Sequence, residues 1–133
     1  MNGLVLDTSA LLRYASGKSI EPGQMLTLAD EDPDQQVWVP AACLAQAHLE
    51  LGGTATAEVL EVLFGGEREI RLAALDGDCA GRVGRIGAQF RLSLDVAHAV
   101  DTAALTRCFI VTAVPDLIEP TGFELLDISY NWD

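Results

Sequence analysis

Leu4-Val5-Leu6-Asp7-Thr8-Ser9-Ala10-Leu11-Leu12 is the stretch on which the reading of this chain turns. A short apolar run meets an acid, and two hydroxyl residues and a set of helix formers follow at once. That order predicts a buried strand that carries Asp7 at its end. A helix over Ala10 to Ser16 follows, capped by Thr8-Ser9 and stopped by Gly17.

The same alternation repeats downstream. A helix is expected over Gln24 to Asp30, then a strand over Gln36 to Val39 closed by Pro40. Ala41 to Leu51 and Thr56 to Phe64 read as helices, each stopped by a Gly-Gly pair. Glu69 to Leu72 reads as a short strand. Asp76 to Phe90 reads as a helix weakened by Gly81, Gly84 and Gly87. Ser93 is placed as the N-cap of a helix from Leu94 to Thr106, and Phe109 to Thr112 and Glu124 to Ile128 supply two more strands. Strands separated by helices imply βαβ units. The expected fold is therefore a three-layer α/β domain over residues 1–133, with a mainly parallel central sheet and helices on both faces. Such sheets place ligand sites outside the carboxyl ends of their strands, where Asp7 and the turn from Thr112 to Asp116 would lie.

Composition narrows the functional classes. Twenty acids against eight bases give a net charge of −12, which argues against strong non-specific binding of nucleic acid through phosphate contacts. It leaves room for a metal-dependent enzyme, because carboxylates attract a divalent ion that then meets the phosphate. The plain alternative is an acidic, soluble surface. Met1-Asn2-Gly3 has no basic n-region, and the apolar window from Val37 to Ala45 is too short to span a bilayer, so a cytoplasmic protein without a membrane segment is expected. Cys43, Cys79 and Cys108 form no C-x-x-C pair and read as reduced, buried thiols.

Asp7 at a strand end suits either a metal ligand or a cap for the helix behind it; in isolation the cap is favoured. Asp95, in the first turn behind Ser93, is either an ordinary first-turn acid or an anion held ready for a cation. The neighbouring words alter that balance. The opening stretch from Leu4 to Leu12 resembles the start of PIN-domain proteins, especially the small VapC-like toxins of bacterial toxin–antitoxin pairs. Ser93-Leu94-Asp95-Val96-Ala97-His98-Ala99-Val100 resembles their third acidic block, Phe109-Ile110-Val111-Thr112-Ala113 the strand before the fourth, and Val39-Pro40-Ala41-Ala42-Cys43-Leu44-Ala45 the approach to the second.

The resemblance implies a Mg²⁺- or Mn²⁺-dependent endoribonuclease, homodimeric, with an antitoxin protein as partner and RNA as substrate. Four acids hold the metal in that family. Here Asp7 and Asp95 match, whereas the second acid falls on Gln46 and the fourth on Val114. Gln46 still offers a carbonyl oxygen and Val114 offers nothing, so weak metal binding and attenuated catalysis are expected. Ser9 and Thr112 match the family's supporting hydroxyls. Glu50, about 6 Å further along the helix axis from Gln46, and Asp116, two residues past Val114, are the candidate compensating acids, with Asp116 preferred because it lies in a turn. Asp101, well round the helix from Asp95, is expected to be solvated surface with them.

His98, at i+3 from Asp95, is expected to be a structural residue, with an acid–base role as the alternative. Arg13, Arg82 and Arg85 are the candidate phosphate-facing bases, unless they only pair with nearby acids. The tail Tyr130-Asn131-Trp132 is assigned to a dimer contact or to the domain's own edge. Two further readings compete with the enzyme. One is a catalytically silent PIN-fold module that binds a protein partner or RNA. The other, a receiver- or phosphatase-type α/β domain, is disfavoured because Asp7 is followed by Thr8-Ser9 and the single lysine is Lys18.

Overall fold

The computed structural model of the protein describes residues 3–16, 35–64 and 69–129. The helix expected over Gln24 to Asp30 and the tail from Tyr130 to Trp132 lie outside them.

The described chain runs β1 (Gly3–Leu6), α1 (Thr8–Ser16), β2 (Gln36–Pro40), α2 (Ala41–Leu51), α3 (Ala55–Leu63), β3 (Arg71–Ala73), α4 (Gly77–Phe90), α5 (Leu94–Thr106), β4 (Phe109–Thr112), α6 (Pro115–Ile118), a 3₁₀ turn (Glu119–Thr121) and β5 (Leu125–Asp127). The five strands form one sheet in the order β3-β2-β1-β4-β5. Every pairing is parallel, with Val5 opposite Trp38 on one side and Ile110 on the other. This is the parallel α/β sheet that the alternation of strands and helices implies.

Strand β1 is buried along its whole length and β4 at all but its first residue. Their continuous apolar runs follow from that, since a strand covered by helices on both faces has no polar side to show. Chain connections leave β1 toward β2 and β3 in one direction, and reach β4 and β5 in the other. With right-handed crossovers, the helices following β1 and β2 therefore cover one face and those following β3 the opposite face. The carboxyl end of β1 is the switch point between the two directions, and Asp7 stands there.

Of the boundaries that differ from expectation, two matter here. Helix α1 begins at Thr8, because Asp7 and not Thr8-Ser9 supplies the cap: its Oδ1 accepts the Ala10 N–H at 2.9 Å. Strand β3 is shifted to Arg71–Ala73, where it pairs with Trp38 to Pro40. Helix α4 forms despite its glycines. Asp76 caps it by accepting N–H groups from Asp78 and Cys79, and Gly87 lets it close on α5, where a Cβ would come within 3.0 Å of the Leu92 carbonyl oxygen. Cys79, Val83 and Ala97 pack between these two helices beside the main core. All three cysteines are free and buried. Among the described residues, no helix is long and apolar enough to cross a membrane.

Candidate functional site

Asp7 is still part of the sheet, donating its N–H to the Val111 carbonyl. Its side chain is 1% exposed. One carboxylate oxygen, Oδ1, accepts from Ser9 Oγ at 2.6 Å and from the Ala10 N–H. The other, Oδ2, is buried without a hydrogen-bond partner. Burial raises the Asp7 pKa; the donors at Ser9, Thr112 and Ala10 oppose that shift and the charge of Asp95 adds to it. An ionised oxygen stripped of water and given no donor is costly, and a cation is the partner that relieves it.

Ser9 and Thr112 fasten the end of β4 to this corner. Their hydroxyls lie 3.3 Å apart, Ser9 Oγ accepts the Ala113 N–H, and Thr112 Oγ1 accepts the Val114 N–H. Thr8 Oγ1 donates to Asp95 Oδ2 at 2.5 Å, and Ser93 Oγ donates to Asp95 Oδ1 at the same distance. Ser93 sits at the N-cap position expected of it but gives its side chain to Asp95 and makes no cap bond to the helix backbone. Cys43 Sγ donates to the Asp95 carbonyl. Burial first, then the charges of Asp7 and Asp95, push that thiol far above its ordinary pKa, so it stays protonated.

Asp7, Ser9, Gln46, Glu50, Asp95 and Val114 line one cleft of about 410 Å³, together with Thr8 and the apolar side chains of Leu12 and Leu117. The four positions singled out by the resemblance thus meet in space. Glu50 is in the cleft as well, where it accepts the Gln46 amide N–H at 3.3 Å. Asp116, the preferred compensating acid, is exposed and does not line the cleft. The reason is local: Pro115 starts α6 directly after Val114, and this short helix sets Leu117, still exposed, along the cleft in place of Asp116. Among the described residues no group of three His, Cys, Asp or Glu side chains is arranged to hold a metal. The oxygen-bearing groups that line the cleft include the carboxylates of Asp7, Asp95 and Glu50 and the amide of Gln46, groups of the hard kind that suit Mg²⁺ or Mn²⁺.

Among the described residues no arginine lines this cleft. Arg82 lies in a separate cavity, where its Nε and Nη2 donate to the two carboxylate oxygens of Asp101 at 3.0 and 3.4 Å and its Nη1 to the Asp78 carbonyl. This corrects two expectations. Asp101 is 4% exposed rather than solvated, and Arg82 takes the alternative expected of it, pairing with an acid and so clamping α4 to α5, in place of the phosphate-facing role.

His98 is also in that second cavity, away from the acids' cleft. Its Nδ1 accepts the Ala42 N–H at 3.3 Å, and burial lowers its pKa. Pro40, at the N-cap of α2, has no side-chain oxygen to offer, so His98 caps the helix that carries Gln46 and Glu50. The missing cap at Pro40 was the sequence signal that some remote acceptor was needed.

No family model and no curated protein matches the chain in sequence. Solved structures do match. VapC20 of Mycobacterium tuberculosis, a sarcin–ricin loop cleaving toxin, superposes with a TM-score of 0.73 at 14% identity, over 94% of this chain and 99% of that one. A chain of VapBC2 from Rickettsia felis, bound to a DNA fragment from their promoter, gives 0.71 at 10% identity over 93% and 97% of the two chains. A chain of a toxin–antitoxin complex from Klebsiella pneumoniae gives 0.62 at 18% identity over 84% and 86%. The chain has the PIN-like α/β fold of the VapC toxin structures.

Proposed function

We propose that this protein is a Mg²⁺- or Mn²⁺-dependent endoribonuclease of the VapC-like toxin type, attenuated by an incomplete acidic site. The observation that carries the reading is the buried, unpartnered Oδ2 of Asp7 in a cleft shared with Asp95, Gln46 and Glu50. Asp7 and Asp95 would hold the ion, with Gln46 as a weak third ligand. A divalent ion there supplies a deprotonated water and neutralises charge building on the phosphate. The chain's own residues do the rest. Ser9 and Thr112 fix the two strand ends against each other, and Thr8 and Ser93 hold the Asp95 carboxylate in one orientation. Each of these hydroxyls keeps a carboxylate or a backbone turn from swinging, which lowers the reorganisation needed when substrate arrives.

An antitoxin that offers a cation suits the same cleft, given three acids along it, no base among the described residues, and a net charge of −12. A groove lined by Leu49, Leu75 and Leu94 shares Gln46, Ser93 and Asp95 with it and would accept that partner's apolar side chains. The homodimer and the cytoplasmic location belong to the same reading. The second reading, a catalytically silent PIN-fold module that binds a protein partner or RNA, draws on the absence of a third acidic ligand among the described residues.

Mn²⁺ titration and RNA cleavage, each with and without Asp7→Asn, test the proposal. Binding in the millimolar range, lost in Asp7→Asn, with slow metal-dependent cleavage that follows it, is the expected result. Metal binding without cleavage selects the silent module. Identical titrations for both proteins overturn the metal site altogether.

A further inference from the structure

The amide of Gln46 has two chemically opposite ends, and only one of them attracts a cation. Which end faces the cleft decides whether Gln46 helps or opposes a metal bound at Asp7. Nε2 of Gln46 donates to Oε2 of Glu50, one turn further along α2. The reversed amide would set its oxygen against the Glu50 carboxylate, so the acid at position 50 selects one of the two orientations. Glu50 is exposed and lines the cleft, yet it forms no three-acid group with Asp7 and Asp95. Its contact is with the amide. An independent feature of the same cleft calls for a cation, namely the buried Oδ2 of Asp7 that no donor reaches.

From these contacts we infer that Glu50 is a positioning residue: it holds Gln46 by its NH₂ group and so presents the Gln46 carbonyl oxygen to a divalent ion at Asp7. The inference rests on the metal-site reading above and adds a role that Glu50 plays without touching the ion. A neutral ligand needs such a device because a carboxylate offers an oxygen whichever way it turns, whereas an amide does so only half the time.

Mn²⁺ titration, followed by calorimetry or by the signal of free Mn²⁺, tests this with Glu50→Ala, Glu50→Gln, Gln46→Ala and the double variant Gln46→Ala/Glu50→Ala. Glu50 is exposed and Gln46 half-buried at the cleft, neither in the core, so folding should survive, and thermal melts check it. Glu50→Ala should weaken binding by about threefold to tenfold, while Glu50→Gln, whose amide oxygen still accepts from Nε2, should stay within about twofold of the natural protein. In the Gln46→Ala background, Glu50→Ala should change nothing. If Glu50→Gln binds as weakly as Glu50→Ala, or the loss persists without Gln46, Glu50 acts through its charge and the positioning role is wrong. If Asp7-dependent binding is intact and Glu50→Ala leaves it unchanged, the role is again wrong but the metal site stands. If Asp7→Asn binds Mn²⁺ like the natural protein, the metal site itself falls and takes this role with it.

Discussion

Thr8 Oγ1 donates to Asp95 Oδ2 at 2.5 Å, and so joins the first turn of α1 to the first turn of α5, 87 residues away in sequence. Hydrogen bonds to charged acceptors contribute about 1.5–3 kcal/mol. Thr8→Val keeps the shape and removes the donor. It should lower stability by about that amount in denaturant unfolding, and it should weaken Mn²⁺ binding because Asp95 loses one of its two orienting hydroxyls.

Restoring the acids should restore the site. Gln46→Glu with Val114→Asp fills all four acid positions of the resemblance, adding two carboxylates to those of Asp7, Asp95 and Glu50 in the cleft, and Val114 is 38% exposed, so an acid there is not forced into the core. Two unit charges 4 Å apart interact by about 4 kcal/mol at an effective dielectric constant near 20, so even after desolvation each added acid should tighten Mn²⁺ binding tenfold or more. RNA cleavage should rise with it, and Asp95→Asn in that background should abolish the gain. A natural protein that already cleaves as fast as the restored one would refute attenuation.

His98 gives a pH signature. Its Nδ1 accepts an N–H, so protonation would place two donors face to face, and burial lowers its pKa below the ordinary value near 6.5. The folded state then binds fewer protons than the unfolded one. This contribution to stability is complete above pH 6.5 and is lost as the pH falls through the folded pKa. Melting temperatures should fall between pH 7.5 and pH 5, and His98→Gln, which keeps an acceptor that does not titrate, should show a shallower fall.

Arg82 and Asp101 should behave as a structural pair. Arg82→Ala leaves Asp101 buried without its partner and should lower the melting temperature by a few degrees, and adding Asp101→Asn should recover part of the loss. Neither change should alter the salt dependence of RNA binding. A reduced slope in Arg82→Ala would return this arginine to the phosphate path.

Most of the fold was legible because its signals are local. The runs at Leu4 to Leu6 and Phe109 to Thr112 are apolar without alternation, as buried parallel strands must be, and Gly52 ends α2 in the left-handed conformation that its position after the helix predicts. The meeting of Asp7, Gln46, Asp95 and Val114 was legible only through resemblance, since nothing local places residues 7 and 95 together. Partners between helices were not legible. Whether Asp101 meets solvent or Arg82 depends on how closely α4 approaches α5, which a glycine at position 87 permits but does not announce. Asp116 takes the solvated position that is its default expectation, and its compensating role falls away because Pro115 starts α6 where a turn is expected.

The two acids that match the resemblance, Asp7 and Asp95, both have architectural employment. Asp7 caps α1, and Asp95 receives Thr8 from across the domain. Positions 46 and 114 lie on the rim of the cleft, and an acid at either would brace nothing in the fold. In a lineage released from selection for catalysis, drift would then erase the rim first and leave the braced pair in place, relieving mutual repulsion as it went. On the proposed reading, the pair that remains would be a record of what the scaffold requires, and two substitutions would complete the set of acids on the same frame.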